Sequence, residues 1–132
     1  AVLVALSSLA WVAAADRPEV ISEKGAPPAV TTVSTPATLA LAEHLNSIGA
    51  RMYSAYWCPH CHEQKELFGQ DAAAKLDVIE CATDGKNSQA SLCQSKAIEG
   101  FPSWEIKGQI DSGVKSLQKL ADLSGYQGPR NF

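Results

Sequence analysis

The sequence predicts an α/β domain in which helices flank a mixed central sheet, laid out as βαβ and then ββα behind one extra N-terminal helix. Three features of residues 38–127 carry that prediction. Apolar residues recur at helical spacing in several stretches, short β-branched and aromatic runs stand between them, and clusters rich in Gly, Asp and Asn mark the turns.

Leu39, Leu41, Ala42, Leu45 and Ile48 share a helical face and Gly49 stops the run, so 38–48 is expected as a helix. The aromatic-rich run 51–57 is expected as a buried strand. Pro59 suits the first turn of the next helix, where its missing N–H removes no helical hydrogen bond. That helix is expected to run to Phe68, with Gly69 ending it. Leu76 to Cys81 alternates as a strand, 84–87 is a turn, and 88–97 is expected as a helix. Residues 103–106 and 109–112 flank Lys107-Gly108 as a hairpin. Leu117, Leu120, Ala121 and Leu123 close the domain with a helix capped by Gly125. No internal repeat is visible, and the order of elements resembles that of the thioredoxin fold.

Outside that domain the composition changes. Residues 1–15 are uncharged, with Asp16 the first ionisable side chain. As a helix they would span about 22 Å at 1.5 Å per residue, short of the roughly 30 Å hydrocarbon core. The segment is expected to be the end of a transmembrane helix. The apolar part of a targeting signal, with Ala13-Ala14-Ala15 as cleavage site, and an Ala-rich tail are the competing readings. Residues 16–37 hold Pro18, Pro27, Pro28 and Pro36, which forbid a continuous helix, and are expected as a linker. Residues 128–132 are expected as a tail. The 132-residue length allows one domain, 45% hydrophobic content supports a core, and a net charge of −3 without basic runs excludes nucleic acid as a partner.

The chemistry centres on Cys58-Pro59-His60-Cys61. Two cysteines three apart at a helix start share a face and can close a disulfide ring. At the first position, unpaired backbone N–H groups and the helix dipole favour a thiolate on Cys58, and a protonated His60 adds positive charge. Cys61, one turn inside, is expected to be the buried resolving thiol. Three other readings compete. A zinc site needs a second closely spaced pair, and Cys81 and Cys93 are too far apart in sequence for that. Cys58-Pro59-His60-Cys61-His62 also fits the C-x-x-C-H haem attachment motif, but the only Met, Met52, lies upstream in an expected strand. A purely structural disulfide is the third. No metal is expected. The pair Cys81 and Cys93 reads either as a structural disulfide or as a second exchange pair relaying electrons, and its spacing favours an oxidising compartment.

Gly100-Phe101-Pro102 stands just ahead of the hairpin. In the thioredoxin superfamily a cis proline at this place lies beside the redox pair, and the backbone there pairs with the substrate strand. Pro102 therefore joins Cys58, Cys61 and His60 as a candidate catalytic position, with Trp57, Pro59 and Phe101 as candidate substrate contacts. Ordinary thioredoxins carry Gly-Pro between the cysteines, where this chain has Pro59-His60, as in the bacterial periplasmic disulfide oxidase. They also carry a buried carboxylate at the position of Met52, so deprotonation of Cys61 here needs another base or water.

From about Thr38 to Gln127 the chain resembles the lumenal thioredoxin-like domain of plant and cyanobacterial vitamin K epoxide reductase homologues. The resemblance rests on Leu45-Asn46-Ser47-Ile48-Gly49-Ala50, on 52–61, on Glu63-Gln64-Lys65-Glu66-Leu67-Phe68-Gly69 and on Ile98-Glu99-Gly100-Phe101-Pro102-Ser103-Trp104. It implies a thiol–disulfide oxidoreductase that oxidises thiols of lumenal proteins and needs no cofactor of its own. The electrons then pass to a quinone-reducing membrane domain of the same chain. It further implies a tether in the thylakoid membrane, or in a cyanobacterial membrane with the domain on the lumenal or periplasmic side. An isomerase or chaperone role on the same fold is the alternative.

Overall fold

The computed structural model describes residues 23–132; the apolar stretch 1–15 and the first part of the expected linker, 16–22, lie outside the described residues. Nine elements follow in order: α1 (Pro36–Ser47), β1 (Arg51–Ser54), α2 (Pro59–Phe68), α3 (Gln70–Ala73), β2 (Asp77–Glu80), α4 (Ala90–Ser95), β3 (Ser103–Ile106), β4 (Gln109–Ser112) and α5 (Leu117–Ser124). The four strands form one sheet in the order β2-β1-β3-β4. β1 runs parallel to β2 and antiparallel to β3, and β3 pairs antiparallel with β4. This mixed sheet with flanking helices is the expected α/β, thioredoxin-like architecture. None of the described helices is long and apolar enough to cross a membrane.

Strand periodicity divides the core. Successive side chains point to opposite faces, so Met52 and Trp104, paired across β1 and β3, join the larger cluster with Leu41, Leu45, Phe68 and Leu120. Tyr53 points the other way and packs with Ile79 and Cys93 in a smaller cluster under α4. Cys58 and Cys61 belong to the larger cluster, so the two free cysteines are mounted on the main core.

Several boundaries differ from the sequence expectation, each for a local reason. α1 begins at Pro36 because Thr35 caps it, exchanging hydrogen bonds with Thr38 in a reciprocal box. β1 stops at Ser54 because the chain turns there, with the Cys58 N–H donating to the Ala55 carbonyl at 3.0 Å. α4 is shorter than the expected 88–97, since Ser88 accepts from the Ala90 N–H and Ala97 takes a left-handed φ of 54°. α3 was not expected from the sequence at all.

The described part of the expected linker is fastened to the domain. The Glu66 carboxylate accepts N–H bonds from Thr31 at 2.9 Å and Thr32 at 3.1 Å. Those bonds, the Thr31 one foremost, hold its ionisation below the usual carboxylate range. The Ser34 hydroxyl accepts from the Ala72 N–H, and the Lys86 N–H donates to the Gly25 carbonyl. Gly69 is required where this strap crosses α2: its φ is 89°, and a Cβ there would lie 2.4 Å from the Ser34 nitrogen. At the other end the expected tail also folds back. Arg130 pairs with Asp122, the Tyr126 hydroxyl donates to the Pro129 carbonyl, and Phe132 packs near Tyr126.

Candidate active site

The turn after β1 delivers Cys58 as the N-cap residue of α2, with φ −83° and ψ 115°, and Pro59 occupies the first helical turn. No side chain caps this end, so the backbone N–H groups there are uncommitted to a capping oxygen. Across from it, the Phe101–Pro102 peptide bond is cis and Pro102 is fully buried. The Cys58 thiol donates to the Phe101 carbonyl oxygen over 3.7 Å, bringing together the two sites that the sequence placed 43 residues apart. Both Cys58 and Cys61 are free thiols, 7% and 2% exposed. One sulfur thus faces the loop and the other is sealed beneath it.

Cys61 is further set apart by its environment. Burial, the largest influence, pushes its thiol up to about 11, with the Cys58 sulfur acting the same way; the Ser54 hydroxyl and the Ala55 backbone oppose this. Met52 is completely buried in the core and offers no carboxylate. At neutral pH Cys61 is therefore a thiol, which leaves Cys58 as the candidate for attack on an outside sulfur. The haem alternative gains nothing from this geometry, because both sulfurs and Met52 are packed into the core. Among the described residues no three His, Cys, Asp or Glu side chains cluster as metal ligands do.

The remaining predicted site residues divide. Trp57 is 60% exposed and meets Phe101 edge-on, ring centroids 6.0 Å apart, so the two frame the entrance to Cys58. His60 does not face the thiol as a bare cation: its Nδ1 lies 3.4 Å from Glu63 Oε2, and both side chains are largely exposed. Its field at Cys58 is offset by that carboxylate and screened by water.

Sequence reasoning missed Gln64 and Lys65. Gln64 is fully buried and joins three parts of the site. Its Oε1 accepts from Trp104 Nε1 at 3.1 Å and from the Lys115 N–H at 2.8 Å, and its Nε2 donates to the Lys115 carbonyl at 3.0 Å. A polar residue among Glu and Lys on a helix carries no local signal of such burial. The signal lay instead in the Trp104 N–H, which needs a partner once buried.

Cys81 and Cys93 form a disulfide with a Cα–Cα distance of 5.7 Å, linking the end of β2 to α4. The bridge, with Ile98 and Phe101, lines a cavity of about 350 Å³. Replacing both cysteines with Ser is expected to destabilise the fold by about 3 kcal/mol, the chain-entropy value for so short a loop. That corresponds to roughly 10–20 °C of melting temperature, with exchange at Cys58 intact. Unchanged melting with lost exchange would assign the bridge to electron relay.

No protein-family model matches the chain. Over 100 residues it is 47% identical to Thiol-disulfide oxidoreductase LTO1 of Arabidopsis thaliana, an alignment covering 74% of this chain and 27% of that protein. The matched part thus spans about a quarter of that protein's length. The sequence that sets Cys58 at the head of α2, against a cis proline, is similar over most of its length to a plant protein named a thiol-disulfide oxidoreductase.

Proposed function

We propose that this chain is a thiol–disulfide exchange enzyme working through Cys58 and Cys61. The observation that carries the reading is the Cys58 sulfur at the head of α2, 3.7 Å from the carbonyl of the residue preceding a buried cis proline. With the pair oxidised, a substrate thiolate attacks the Cys58 sulfur, the Cys58–Cys61 bond breaks, and its electron pair leaves on Cys61. A second substrate thiolate attacks the substrate sulfur of that mixed disulfide. The substrate leaves as a disulfide, and Cys58 departs as a thiolate. Two electrons have moved from substrate to enzyme, and each thiolate left behind takes a proton from water.

The proposed substrates are proteins with free thiols, met at the rim formed by Trp57 and Phe101. Reoxidation is assigned to a quinone-reducing membrane domain of the vitamin K epoxide reductase type in the same chain, with this domain on the lumenal side of a thylakoid or cyanobacterial membrane. The resemblance of 38–127 to such domains supports that assignment. Protection of the native protein from added protease in sealed thylakoid vesicles is the expected result, and cleavage without lysis would refute the placement. The exchange reading is tested by mixing the oxidised chain with a reduced dithiol peptide. One peptide disulfide should form per chain, with loss of the Cys58–Cys61 bond by mass after alkylation. A peptide that stays reduced would reject it.

A further inference from the structure

Lys65 stands one helical turn after Cys61, and residues four apart on a helix lie side by side. Both are buried: Lys65 is 9% exposed and Cys61 2%. A buried lysine ordinarily has a carboxylate against it, yet among the described residues no ion pair includes Lys65. The Cys61 thiolate and the Glu80 carboxylate are the negative charges within its electrostatic reach, while burial lowers its proton affinity below the ordinary amine value. Glu80 already accepts the N–H groups of Tyr56 at 3.2 Å and Ala82 at 3.0 Å. Lys65 also lines a cavity of about 270 Å³ beneath the strap, whose other lining residues, 27–30, Gln70, Ala73, Ala74 and Val78, carry no titratable group. The fold thus holds a buried cation beside the buried sulfur and gives it no dedicated counter-ion.

We propose that Lys65 is the charge partner of the Cys61 thiolate, in a core where Met52 supplies no charged group. The proposal rests on the exchange reading above and adds a residue to it. When substrate attacks Cys58, the electron pair leaving on Cys61 arrives next to a fixed ammonium. In the reverse direction Cys61 gives its proton to water and attacks the Cys58 mixed disulfide, and the same ammonium stabilises the anion. Lys65 keeps its proton throughout.

Dithiobis(nitrobenzoate) separates the two steps on the reduced chain. One thionitrobenzoate is released as Cys58 forms a mixed disulfide, and a second as Cys61 closes the ring. In Lys65→Met the second phase is expected to slow about ten-fold at pH 7, and its pH midpoint to rise by about one unit. The first phase serves as control, and Lys65→Arg, which keeps the charge, should recover most of the rate. A second phase in Lys65→Met with wild-type rate and midpoint would overturn the proposal. So would Lys65→Arg as slow as Lys65→Met, since the loss would then follow shape rather than charge. Circular dichroism checks the fold, with Lys65→Gln as substitute should the Met variant not fold. A wild-type chain releasing a single equivalent would instead overturn the exchange reading, and this proposal with it.

Discussion

Cys58→Ser is expected to abolish exchange entirely, because the sulfur that remains, Cys61, is 2% exposed and held as a thiol by an ionisation pushed up to about 11. Cys61→Ser should behave differently. Its Cys58 still attacks a disulfide substrate, but no neighbouring thiol displaces the product, so a mixed disulfide accumulates. Non-reducing mass spectrometry after incubation with an oxidised peptide separates the outcomes: no adduct for Cys58→Ser, one stoichiometric adduct for Cys61→Ser. An adduct on Cys58→Ser would reverse the assigned roles of the two sulfurs.

The second large effect concerns stability. Gln64→Leu keeps the side-chain volume but removes the acceptor of the Trp104 and Lys115 N–H groups and the donor to the Lys115 carbonyl. Each buried polar group left without a partner costs about 1–3 kcal/mol, so the variant should lose roughly 3 kcal/mol or more. The urea midpoint should fall with an unchanged slope. A loss below about 1 kcal/mol would mean that water replaces the amide. Gln64 ties α2 to β3 and to the segment ahead of α5, so exchange should also slow in molecules that remain folded.

Much of this was legible in the chain because it depends on near neighbours. The helix at Pro59–Phe68, the hairpin around Lys107-Gly108 and the Gly125 cap match the expectation, since proline, turn and capping preferences act within a few residues. Pro36 reads as linker together with Pro18, Pro27 and Pro28, but a proline is tolerated in the first helical turn, and there Thr35 caps it. The strap, the back-folded tail and Gln64 were invisible for another reason. Their partners lie far along the chain: Thr31 bonds Glu66, and Gln64 bonds Trp104 and Lys115. Lys65 is covered in the same way, by residues 27–30 and Val78, which lie far from it along the chain.

The fastening of residues 23–35 also sets the order in which a force along the strap enters the domain. From its N-terminal side the strap meets the domain first at Lys86, inside the loop that the Cys81–Cys93 bridge closes, and only then at Glu66, so a force along it is taken up by the bridged loop before it reaches the helix that carries the sulfurs.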